Sequence, residues 1–110
     1  MPIYKTARFQ VRPDGLQVSL EAIRDFIAYV EANEPGTRLY SAFQELGDSN
    51  TFLNFFIFED AAAEERHRTS EGVQRFTAIL YPQTVDGVQF TDYQLVATTE
   101  SRHDAGLNRH

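Results

Sequence analysis

Three histidines are the residues in this sequence whose ordinary titration falls nearest neutrality: His67, His103 and His110. Imidazole is the commonest proton shuttle in proteins, so they are the first candidates for chemistry. No two of them have the spacing of a metal-ligand pair, and no run of His, Asp and Glu is set out to hold a metal. The absence of cysteine excludes thiolate nucleophiles, disulfides and Cys-ligated metals together, and is compatible with a reducing cytoplasm. There is no Gly-rich phosphate loop and no nucleophile elbow. Asp14, Asp86 and Asp92 fall at turn or strand positions where capping or solvation suits them better than catalysis. His67 stands in the run Glu64-Glu65-Arg66-His67-Arg68, whose pattern alone reads as a solvated helix face. The chemistry within reach is therefore narrow: a lone base that could take up a proton. One further side chain is out of place. Asn54 sits in Phe52-Leu53-Asn54-Phe55-Phe56-Ile57-Phe58, and a buried amide must pair with backbone or water, or else face a cavity where a ligand completes its hydrogen bonds.

The elements that must position these residues follow from periodicity. Residues 4 to 11 alternate, with Ala7, Phe9 and Val11 on one parity, as a strand with one buried face does. Pro13-Asp14-Gly15 breaks it. Leu20, Ile23, Phe26, Ile27 and Val30 then recur three and four apart, which predicts a helix from Ser19, as N-cap, to about Asn33, stopped by Pro35 and Gly36. Strands are expected over 38 to 46 and 52 to 58, joined as a hairpin through Gly47-Asp48-Ser49-Asn50. Asp60 caps a second helix that runs to Tyr81, with Gly72, in Ser70-Glu71-Gly72, as a place for a kink or an interruption. Val88 to Thr98 forms a last strand, and 100–110 reads as a polar, mobile tail beyond a single domain over 1–99. The order strand, helix, strand, strand, helix, strand predicts an α+β fold. It is the ferredoxin-like βαββαβ arrangement, with both helices on one face of a four-stranded antiparallel sheet.

Bulk properties set the partners. A net charge of -6 and a pI near 4.9 disfavour nucleic acid and anionic membrane, and no apolar run reaches spanning or signal-peptide length, so a cytoplasmic protein is expected. The strand at 51–60 is apolar on both parities: Phe52, Phe56 and Phe58 on one, Leu53, Phe55 and Ile57 on the other. With both helices on one side, the second face would be bare. A homodimer that packs sheet against sheet covers it. The competing explanation is strand propensity for aromatics with partial cover from the tail.

The stretch Glu34-Pro35-Gly36 followed by Tyr40, then Phe58, Asp60, Ala63, His67 and Ser70, resembles the antibiotic biosynthesis monooxygenase family over roughly residues 4 to 98. The resemblance implies that two copies pair into a dimeric α/β barrel. It also implies a pocket between the sheet and the second helix, into which His67 reaches. Members that oxidise quinols or polycyclic phenols use no metal or flavin; the ionised substrate itself reduces oxygen, and His67 would be the proton acceptor. Phe58 and Phe76 would be walls and Asn54 and Tyr40 polar handles for a small aromatic or hydrophobic molecule. Phe56 would also line the pocket, in a place where relatives often carry a glutamate, so no charge partner for His67 comes from this strand. The haem-degrading branch is not implied: Tyr4 to Val11 holds no asparagine, the chain no tryptophan, and Phe76-Thr77 no ligand. Two other readings stay open, a non-catalytic barrel that binds a small hydrophobic ligand and an isomerase or dehydratase of a small ring compound. Phe58 and Phe76 could equally be plain core, and Tyr40 a residue of the dimer interface.

Overall fold

The computed structural model describes residues 1–100. The tail expected over 100–110, with His103 and His110, lies past its first residue outside the described residues. The chain runs β1 (Ile3–Val11), α1 (Leu16–Asn33), β2 (Thr37–Glu45), β3 (Asp48–Phe58), α2 (Ala61–Arg68), α3 (Glu71–Leu80) and β4 (Thr84–Tyr93). The strands form one antiparallel sheet in the order β2-β3-β1-β4, the ferredoxin-like α+β arrangement. No helix is long and apolar enough to cross a membrane.

Side-chain alternation assigns the faces. Phe52, Asn54, Phe56 and Phe58 are all at most 4% exposed, and with Ala7, Phe9 and Val11 of β1 they point toward the helices. Ala22, Ile23, Phe26 and Val30 of α1 and Phe76 and Leu80 of α3 close over them. Burying each large apolar side chain contributes about 1.5–3 kcal/mol, so this layer carries most of the stability. On the opposite face Leu39, Phe43, Leu53 and Tyr93 stay between 39% and 55% exposed.

Four local features depart from the periodicity. The first helix begins at Leu16, entered through a 3-10 turn over Pro13–Gly15, so Ser19 is not its cap. Ser19 is fully buried, with its hydroxyl unpaired, because Leu16 already belongs to the apolar stripe and draws the helix start back a turn. The hairpin turn is shorter than expected, and β3 starts at Asp48. Register shifts between Gln44 and Glu45, and the Asp48 carboxylate accepts from Asn50 N–H (3.1 Å) and from the Thr51 hydroxyl (2.7 Å), doing locally what the ladder does elsewhere. The helix expected from Asp60 to Tyr81, with a kink or interruption at Gly72, is interrupted, but ahead of that glycine. The break is at Thr69 and Ser70, where the Ser70 hydroxyl accepts from Val73 N–H and caps α3; Gly72 lies inside α3, against the ring of Tyr29. Finally, Asp86 and Gly87, at φ 66° and 77°, do not precede the last strand but form a bulge within it. Phe9 pairs with Val88 while the adjacent Gln10 pairs with Val85, so β4 is Thr84–Tyr93 rather than 88 to 98.

Candidate functional site

Two turns of sequence meet to build the site. Glu34 is the C-cap residue of α1: its N–H donates to Val30 O, and its own carbonyl accepts from Thr37 N–H. Gly36 presents its carbonyl to Glu59 N–H at 2.9 Å, and a Cβ on Gly36 would stand 2.6 Å from that of Ala63. Only glycine admits α2 so close. At the other end of that contact, the Asp60 carboxylate accepts from Ala63 N–H at 2.9 Å and fixes the start of α2. His67 lies four residues after Ala63, on the same helix face, and so points inward.

The inward direction leads to a cavity of about 420 Å³ between the sheet and the helices. All six residues singled out from the sequence line it: Tyr40, Asn54, Phe56, Phe58, His67 and Phe76. The imidazole is surrounded by rings, with centroids of Phe58, Phe26, Tyr40 and Phe56 at 4.9, 5.6, 5.8 and 6.1 Å. Tyr40 stacks on Phe56 at 4.7 Å, and Phe26 on Phe76 at 4.4 Å. The walls are thus aromatic, and stacked pairs of this kind favour flat, apolar guests.

Few polar groups interrupt them. Asn54 Nδ2 donates to the Tyr40 hydroxyl at 3.2 Å, while its Oδ1 is buried with no partner. The amide therefore answers the question its sequence posed by pairing through one end and leaving the other open. Burial holds the Tyr40 phenol far above its ordinary range; the Asn54 hydrogen bond works the other way, and the charge of Glu34 adds to the rise. Tyr40 is consequently a neutral hydroxyl at physiological pH, a donor and not a base.

His67 Nδ1 lies 2.8 Å from Glu34 Oε1, and both side chains are nearly enclosed, at 12% and 8% exposed. That oxygen also accepts from the Thr37 hydroxyl at 2.8 Å, while Oε2 is buried with no partner. The charge partner that Phe56 cannot supply from β3 comes instead from the end of α1. Its glutamate was visible in the sequence only as part of a turn. At the cavity mouth Lys5 Nζ bridges Glu64 (2.8 Å) and Asp92 (3.0 Å), and the Glu64 hydrogen bond, ahead of an opposing desolvation, raises the lysine's proton affinity. Among the described residues no three His, Asp or Glu side chains converge as a metal-ligand set. The arrangement can bind a flat aromatic molecule, orient it through one amide and one phenol, and take a proton from it at one imidazole.

The protein-family model for antibiotic biosynthesis monooxygenases matches residues 2–78 of the chain. Among solved structures, Rv0793 from Mycobacterium tuberculosis superposes with a TM-score of 0.82 at 20% identity, covering 91% of this chain and 100% of that one. PA3566 from Pseudomonas aeruginosa gives 0.77 at 24%, covering 87% and 95%. A crystal structure of an antibiotic biosynthesis monooxygenase gives 0.80 at 18%, covering 86% and 99%. At these identities the likeness is one of fold. No curated protein matches the chain in sequence.

Proposed function

The chain belongs to the antibiotic biosynthesis monooxygenase family, and from that premise we propose that it is a cofactor-independent monooxygenase of a quinol or polycyclic phenol, with His67 as base. The observation that supports this reading most is the placement of His67: a single imidazole among four aromatic rings, on the wall of a cavity large enough for a fused-ring guest. With Nδ1 taken by Glu34, Nε2 is the nitrogen left for substrate.

In this reading a phenol or its keto tautomer enters between the aromatic walls, with its oxygen against Asn54 and the Tyr40 hydroxyl. His67 removes the acidic proton, which leaves a resonance-stabilised anion. A ring carbon of that anion bonds to O₂, which is reduced to a peroxide as the ring is oxidised. The peroxide takes up the proton that His67 holds. Loss of water from the hydroperoxide leaves a carbonyl, so one oxygen atom stays in the product and the other departs as H₂O. The protein contributes an aromatic-walled cavity, orientation and a proton acceptor. A homodimer serves this reading, since a second copy would cover Leu39, Phe43 and Leu53 and stiffen the sheet behind the cavity.

Oxygen uptake with a panel of hydroquinones and anthrones, in wild type and His67→Ala, is the test. Turnover lost on substitution supports the proposal; unchanged turnover, or none with any compound, removes it. One observation favours a second reading. Tyr40 accepts from Asn54 and stays protonated, so it can donate to a substrate carbonyl, which suits proton transfer next to that carbonyl, as in an isomerase. Solvent deuterium entering a ketone without oxygen uptake would select it.

A further inference from the structure

We propose that Glu34 is a positioning residue for His67: it holds the imidazole with Nδ1 protonated and Nε2 bare toward the cavity, and acts as counter-charge when Nε2 takes a proton. Its catalytic part rests on the reading of His67 as base; its structural part does not.

Glu34 is held through its backbone and through one carboxylate oxygen, Oε1. Its backbone is held at both ends, by the N–H bond to Val30 O and by the carbonyl bond from Thr37 N–H. Its side chain is held by the Thr37 hydroxyl at 2.8 Å, which leaves the second interaction of Oε1 to His67 Nδ1, also at 2.8 Å. An ionised carboxylate only accepts, so Nδ1 must carry the hydrogen and Nε2 must carry the lone pair. Among the described residues His67 is the only basic side chain paired with Glu34, and Oε2 has no hydrogen-bond partner. Glu34 is thus not paired with a lysine or arginine, and the imidazole is the basic group that its carboxylate contacts. Both side chains are withdrawn from water, where screening is weak. His67 also stands in the last turn of α2, whose negative end favours a cation. The imidazolium formed on proton transfer is therefore stabilised from two directions, and Glu34 supplies the nearer one. The whole of β2 and β3 lies between the pair in sequence, and the close approach of Gly36 to Ala63, with the Glu59 N–H bond to Gly36 O, brings them together.

The test uses ¹⁵N-labelled protein without substrate, at a pH where the imidazole is neutral, together with steady-state kinetics where turnover exists. In wild type the His67 nitrogens should show a protonated Nδ1 and a bare Nε2. In Glu34→Ala the balance should swing toward protonated Nε2. Glu34→Gln keeps the shape but drops the charge: kcat should fall roughly 10–100-fold, as for loss of other partners that orient a reactive group, with KM little changed. Glu34→Asp should restore part of it. Should Glu34→Ala fail to fold, Glu34→Gln and Thr37→Val carry the same measurement. A wild-type ring protonated at Nε2, a tautomer indifferent to Glu34, or full kcat in Glu34→Gln overturns the proposal. If no compound turns over, the monooxygenase reading falls, and the nitrogen shifts still decide whether Glu34 sets the ring.

Discussion

Gly36→Ala should be more damaging than a one-methyl change on a surface turn suggests, and in an Ala63→Gly background it should cost almost nothing further. The added Cβ would sit 2.6 Å from the Ala63 Cβ, where ordinary contact begins at 3.4 Å. Neither atom is the end of a flexible chain, so backbone must move. Gly36 cannot retreat without breaking the 2.9 Å bond from Glu59 N–H, and α2 cannot retreat without drawing His67 from Glu34. Overpacking of this kind costs about 1–3 kcal/mol. Ala63→Gly alone costs about 1–2 kcal/mol, from helix propensity and one lost buried methyl. The double variant relieves the clash, so its total should lie near that of Ala63→Gly alone, a coupling as large as the cost of Gly36→Ala, about 1–3 kcal/mol, in a double-mutant cycle. Urea unfolding of the four proteins measures it, and each kcal/mol should appear as a melting shift of about 4–8 °C in a domain of this size. Effects that add to within about 0.5 kcal/mol would refute the claim that the Glu34-Pro35-Gly36 turn and α2 are locked at this contact.

Other outcomes follow from single contacts. Tyr40→Phe leaves the buried Nδ2 of Asn54 without its partner and should lower stability by about 1–3 kcal/mol in urea unfolding. Phe43→Glu, in the exposed row with Leu39 and Leu53, should convert a dimeric species to a single subunit in sedimentation at micromolar concentration; a wild type that already sediments as one subunit would contradict the proposed pairing. The Thr51 hydroxyl, and then Asn50 N–H, hold the Asp48 carboxyl below its ordinary range. A carboxyl lowered on folding adds stability above that range and loses it as pH falls through the folded value, so wild type and Asp48→Asn should differ at neutral pH and converge in acid. A difference that persists unchanged in acid would count against this.

The sequence carried the order of elements because each had a period, a breaker or a cap: Pro13, Pro35-Gly36 and Asp60 all punctuate where expected. What it could not carry was competition between signals. Ser19 has the chemistry of a cap, but Leu16 extends the apolar stripe past it, and burial wins over capping. Asp86-Gly87 has the chemistry of a turn, yet pairing with β1 continues on both sides, so the left-handed pair becomes a bulge. Ser70 sits in the polar run Arg68-Thr69-Ser70-Glu71, and its role as a second cap shows only in the hydrogen bond its hydroxyl accepts from Val73 N–H. At the site, His67 and the aromatic set could be read from local motifs. The Glu34 carboxylate could not, because its partner lies 33 positions away and no periodic pattern links the end of one helix to the next across two intervening strands.

The bulge in β4 bears on self-assembly. A sheet of this kind has two ways to meet another: by its broad side, which closes after two molecules, or along its rim, which never closes. β2 and β4 are the rims, and each is irregular, β2 through its register shifts and β4 through Asp86 and Gly87. A newcomer strand would find the row of free amides and carbonyls interrupted on either side. The chain thus leaves its greasy side open for a finite union while blunting the borders along which fibrils grow.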